Sequence, residues 1–174
     1  MSILPLTTVV HFAALSDSGQ TRSHNEDSLL CCAQLNLWAV ADGMGGHQRG
    51  EVASALALDV LREQVEQGCA LPEAAVRAHD AILAAAVSDP ASQGMGTTLV
   101  AVTLQGNTFT LVWVGDSRAY RVSTQQIEPL SSDHSWVQEQ VDAGVMSSAE
   151  ARQHPRRNVI TQCLGQAQDA PEPG

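Results

Sequence analysis

The chain has 174 residues, 44% hydrophobic but only 3% aromatic, and a formal net charge of −10. That length suits one domain burying about two thirds of its unfolded surface, and the acidic balance argues against nucleic-acid binding, which needs a basic footprint. All nine basic residues are arginine, so Schiff-base chemistry, a lysine general base and a P-loop lysine are excluded together.

No run of 18 apolar residues occurs, so no transmembrane helix is expected. The start, "MSILPLTTVV", lacks the basic segment and long apolar core of a signal peptide. The four cysteines, Cys31, Cys32, Cys69 and Cys163, show no metal-knuckle spacing. Two of them, Cys31 and Cys32, are adjacent in a strand-like run, which reads as reduced, buried thiols in a cytoplasmic protein.

In chain order, Val9 to Leu15, Ser28 to Cys32 and Leu37 to Ala41 read as short strands, the last two joined by a turn at "AQLN". Leu56, Val60, Leu61 and Val65 share one face of a helix running from Glu51 to about Gln67, with Gly68 as its stop. A second helix starts around Pro72 and repeats Ala75, Val76, His79, Ile82, Leu83 and Ala86 at helical spacing. Strands return in "TTLVAVTLQ" and "TFTLVWVGDS", a hairpin about Gly106-Asn107, and "RAYRV" supplies a third antiparallel strand. Asp133 is placed to cap a short helix carrying Trp136, Val137, Gln140 and Val141 and ending at Gly144. Ser147 and Glu150 form a capping box for another that stops before Pro155. Residues 166–174, "QAQDAPEPG", have no apolar face and read as a tail or cut edge. Strands, two helices, strands, then small helices predict an α+β layered domain with largely antiparallel sheets.

Four acids lie at the ends of strand-like runs or in the adjoining turns: Glu26, Asp27, Asp42 and Asp116. Singly, each is a solvated turn acid. Together they form an oxygen-only set suited to Mg²⁺ or Mn²⁺. Gly43, Gly45 and Gly46 follow Asp42 and let the backbone approach closely. Arg22, four residues before Glu26, is suited to bidentate phosphate binding, and an arginine beside metal-held water meets the needs of phosphate-ester hydrolysis. Competing motifs fail. "GMGGHQRG" is not G-x-G-x-x-G, no cysteine has an arginine six positions on, and G-x-S-x-G is absent.

Three strings, "SDSGQTRSHNEDSLL", "LWAVADGMGGHQRGEVAS" and "GMGTTLVAV…VWVGDSRAYRV", together resemble the PP2C-type (PPM) metal-dependent serine/threonine protein phosphatases, bacterial branch. The resemblance covers about residues 10 to 165. It implies an α-β-β-α sandwich of antiparallel sheets flanked by helices, with a flap at about 131–158. It implies two Mn²⁺ or Mg²⁺ ions, with a third in bacterial members. Asp42 would bridge two ions, the Gly43 carbonyl would bind one, and Glu26 and Asp27 would be direct or water-mediated ligands. Asp116 would help hold the third ion, and Arg22 would grip the phosphate. A metal-bridged hydroxide would attack phosphoserine or phosphothreonine in proteins, reversing a cognate Ser/Thr kinase, in a monomer.

Two departures from the family pattern matter. Met44 stands where eukaryotic relatives often place a histidine. The later "DG" and "DN" motifs are absent, so residues 1–165 are expected to be the first two thirds of the domain, incomplete at the C-terminus and poorly active alone. The alternatives are a phosphatase-like binding or regulatory module without turnover, and a two-metal phosphodiesterase or nuclease, which suits the charge badly. Among other residues, His24 and His47 read as surface residues, His79 as a structural histidine, Trp113 and Trp136 as packing, and Arg118 as a tie to a neighbouring carboxylate.

Overall fold

The computed structural model describes residues 10–20, 24–45, 49–166 and 174. Strands β1 (Asp27–Cys32) and β2 (Leu37–Met44) pair antiparallel through a 3-10 turn at Ala33–Leu35. Asn36 closes that turn in the left-handed region, φ 49°, a conformation its short polar side chain tolerates. Helices α1 (Arg49–Glu66) and α2 (Leu71–Ser88) follow, with Pro72 in the first turn of α2, where its missing N–H costs nothing. Next come β3 (Gly96–Thr97), β4 (Leu99–Gln105) and β5 (Thr108–Val114), the last two joined tightly at Gly106-Asn107. The chain continues through β6 (Tyr120–Val122), β7 (Ile127–Pro129), α3 (Trp136–Asp142) and α4 (Ser148–Gln153).

The main sheet has the order β1-β2-β4-β5, with β3 continuing beside the end of β2, and every pairing is antiparallel. Alternation then sorts the side chains. Leu37, Ala39 and Ala41 of β2, Leu99 and Ala101 of β4, and Val112 and Val114 of β5 point to one buried face. That face meets Ala53, Ala57, Leu58 and Leu61 of α1, and Ala74, Ala75, Ala78 and Ile82 of α2 complete the same core. Alanine dominates the helix contribution, so the two helices pack closely and the core closes without aromatic rings. The architecture is α+β, antiparallel sheets flanked by helices, as the order of elements implied.

The opposite face carries Leu29, Val40 and Phe109, all exposed. With Trp38, Val102 and Leu111 they line a shallow apolar cavity of about 560 Å³, reached from one side by Ala13 to Leu15. Phe12 lies 5.8 Å from the Trp38 ring, centroid to centroid.

Several expectations change. Residues 10–15 form no strand; their apolar side chains lie along the sheet instead of adding an edge to it. "RAYRV" does not extend the main sheet, because β6 turns away to pair with β7 in a separate two-stranded ribbon. Helix α3 is capped by Ser135, whose hydroxyl accepts the Gln138 amide, and not by Asp133. Asp133 is occupied by the Arg118 guanidinium, which grips both carboxylate oxygens. Of the cysteines only Cys163 is buried, and Cys31 is exposed on the outer sheet face. The Ser147–Glu150 capping box forms as expected.

His79 is 3% exposed, and its Nδ1 accepts the Gly165 amide at 3.1 Å. Burial holds its pKa below the ordinary value of 6.5. The unfolded chain therefore binds a proton that the folded chain refuses. Stability is complete above about pH 6.5 and falls as pH drops through that value, by up to about 1.4 kcal/mol per unit. Urea midpoints of the wild type should fall more steeply between about pH 7 and 5.5 than those of His79→Gln. Leu99 is fully buried, and Leu99→Ala should lower unfolding free energy by about 2–5 kcal/mol in the same assay.

Candidate metal centre

The start of β1, the end of β2, the start of β4 and the end of β5 share one rim of the main sheet. Register sets Asp27 directly opposite Asp42 on this rim, both exposed. Their carboxylates thus escape the cost of burial without a partner.

Glu26, half-buried beside them, is fixed by its own backbone. Its carbonyl oxygen accepts the Gly43 amide at 3.1 Å and the Ser54 hydroxyl at 2.7 Å. Ser54 is fully buried in α1, and its oxygen also lies 2.9 Å from the Ser28 hydroxyl. One carbonyl therefore joins β1, β2 and α1. The approach is so close that side chains are excluded at two positions. A Cβ on Gly43 would lie 2.0 Å from the Gly50 carbonyl oxygen, and one on Gly50 would lie 2.6 Å from Glu26 Oε1. The glycines after Asp42 thus serve close approach of strand and helix.

Asp116 belongs to the same rim through Thr98. The Thr98 amide donates to the Asp42 carbonyl at 2.9 Å, and Thr98 Oγ1 accepts the Asp42 amide at 3.0 Å. The Thr98 carbonyl is turned aside to accept the Thr97 hydroxyl, which accounts for the break between β3 and β4. Thr98 Oγ1 also lies 2.7 Å from the hydroxyl of Ser117, next to Asp116. Gly115, at φ +100°, lets the chain pass, since a Cβ there would come 2.7 Å from the Thr98 methyl. Burial first, and the neighbouring Asp133 charge second, push the Asp116 carboxyl above its usual range, while Arg118 pulls the other way. A nearby cation would relieve both effects.

Among the described residues, no three Asp, Glu, His or Cys side chains close into a metal cage. The set still fits hard divalent ions, because every donor is oxygen and Mg²⁺-like ions keep several waters and take one or two carboxylates each. Glu26, Asp27, Asp42 and Gly43 come together, and Asp116 joins them at one remove. Arg22, His47 and Gly46 lie outside the described residues. His24 is exposed, and Met44 is half-buried beside Gly96. Arg118 ties to Asp133 as expected. Sequence reasoning missed Gly50, Ser54 and Thr98. A buried hydroxyl in an otherwise apolar helix face and a Thr-Thr pair opening a strand were their only signals.

Layer order and antiparallel register define an α+β fold with an oxygen-rich rim at one end of its main sheet. The sequence matches the family model for protein phosphatase 2C over residues 18–166. It is 42% identical over 165 residues to the serine/threonine protein phosphatase PstP of Mycobacterium tuberculosis, covering 91% of this chain and 32% of that protein. The chain therefore spans about a third of that relative's length. A crystal structure of the M. tuberculosis PstP/Ppp phosphatase superposes with TM-score 0.84 at 39% identity, covering 93% of this chain and 70% of that one. The PstP catalytic domain in complex with two manganese ions superposes with TM-score 0.80 at 36% identity, with the same coverage. The chain belongs to the protein phosphatase 2C family.

Gly43→Ala forces α1 away from the rim, and unfolding in urea should show a loss of at least about 1–3 kcal/mol.

Proposed function

We propose that this chain carries the metal-binding rim of a protein-serine/threonine phosphatase that hydrolyses phosphoserine and phosphothreonine in proteins. The observation that carries the reading is Asp27 facing Asp42 across β1 and β2, beside a Glu26 locked by its own carbonyl. Family membership and the two manganese ions of the PstP structure support it.

Glu26, Asp27, Asp42 and the Gly43 carbonyl would hold two Mn²⁺ or Mg²⁺ ions, with Asp116 contributing to a third. Bound there, such ions activate water as a nucleophile and neutralise charge developing on the phosphoryl group. Asp42, on the rim between Glu26 and Asp116, is placed to serve more than one ion. Arg22 would orient the phosphoryl oxygens through a bidentate contact. Met44 has no proton to give, so the leaving oxygen takes its proton from water. Residues 1–165 would act as phosphatase-domain sequence with a flap at 131–158. The setting would be the cytoplasm, opposite a Ser/Thr kinase, as a monomer. No helix among the described residues is long and apolar enough to cross a membrane.

A second reading, a phosphatase-like binding module, is favoured by the lack of a closed acid cluster among the described residues. Turnover separates the two. Hydrolysis of p-nitrophenyl phosphate should need Mn²⁺, stop in EDTA, and fall about a hundredfold or more in kcat/KM on Asp42→Asn. Phosphopeptide binding with no turnover at any Mn²⁺ concentration would select the binding module.

A further inference from the structure

We propose that the groove running from Asp116 between α3 and α4 docks acidic side chains flanking the phosphorylated residue of a protein substrate, read by Arg152 and Arg157. Its volume is about 700 Å³, and its lining includes both arginines and Asn158. The buried Val137 and Ala151 form an apolar base.

The arginine pairing singles out this groove. Arg49, Arg62, Arg77, Arg118 and Arg121 each pair with a carboxylate. Arg156 lies 5.0 Å from the centroid of the Trp136 ring. Among the described arginines, Arg152 and Arg157 alone have neither kind of partner, and both line this one groove. Among the described residues no carboxylate forms an ion pair with either of them. Asp133, also in the lining, is taken by Arg118.

The charge of the whole chain sharpens the inference. At −10, its long-range field favours basic peptides. A preference for acidic ones can arise only from a local cationic feature, and two unpaired guanidiniums over an apolar base are such a feature. The orientation, phosphoryl group towards Asp116 and acidic flank towards the arginines, rests on the phosphatase reading. The docking chemistry does not.

The test uses the full chain and fluorescein-labelled threonine and phosphothreonine peptides flanked by Glu or by Lys. Anisotropy is read in EDTA at low ionic strength. Glu-flanked peptides should bind about tenfold tighter than Lys-flanked ones, with or without phosphate, and salt should weaken the preference. The double variant Arg152→Glu/Arg157→Glu should reverse it, whereas Arg62→Glu/Arg77→Glu, on the two long helices, should retain it. Equal binding of the two peptides, or an acidic preference surviving the reversal at 152 and 157, overturns the proposal. Mn²⁺-dependent hydrolysis of p-nitrophenyl phosphate, which has no flanks, reads the phosphatase function separately. Turnover without the acidic preference sinks the docking groove alone. The acidic preference without turnover sinks the phosphatase reading and leaves the groove standing.

Discussion

The carbonyl oxygen of Glu26 is the point on which the rest of the rim depends. It accepts one donor from β2 and one from α1, both within 3.1 Å. Each bond is worth only about 1 kcal/mol net, so its importance is positional. It fixes where the backbone of residues 26 and 27 leaves the sheet, and hence where their carboxylates stand relative to Asp42. Gly43 and Gly50 are part of the same device, because any side chain at either position would occupy the space the contact needs. Strand, strand and helix meet here through backbone atoms and the Ser54 hydroxyl.

Local chemistry was legible in the sequence. The apolar run from Leu37 to Ala41 marked β2, helical spacing marked α1 and α2, and Gly106-Asn107 marked the hairpin. Acids at strand ends marked the rim. What remained hidden depends on residues far apart in the chain. Ser54 reaches Glu26 across 28 positions, and Thr98 reaches Asp42 across 56. No local pattern encodes such a meeting. The cap of α3 went to Ser135 because Arg118, 15 residues earlier, had taken Asp133. β6 left the main sheet because β7, a short segment of weak strand character, was its partner. The apolar run read as a strand up to Leu15 instead sets Phe12 beside Trp38 and Ala13 to Leu15 along the outer-face cavity.

The segment bearing α3 and α4 is held by a few backbone bonds to the remainder of the fold. His134 exchanges hydrogen bonds with Gly115, and the backbone about residues 134–136 pairs with that of 159–161. Farther on, Thr97 and Leu164 exchange a pair of amide bonds, and Gly165 reaches His79 of α2. The groove wall and the carboxylate rim are therefore anchored to the same strand ends. Trp136, packed on His154 and under Arg156, keeps the bend at Pro155 in place. That bend separates Arg152 from Arg157 along the chain while both still face one groove.

Thr98 has a consequence of a different kind. Its single hydroxyl oxygen holds the Asp42 amide and meets the Ser117 hydroxyl beside Asp116. Backbone segments carrying two acids 74 positions apart in the chain thus meet at one atom. Substitutions at 42 and 116 are expected to combine non-additively, with an interaction energy that shrinks once Thr98 becomes valine. An uncharged threonine thus sets the two ends of the rim relative to one another.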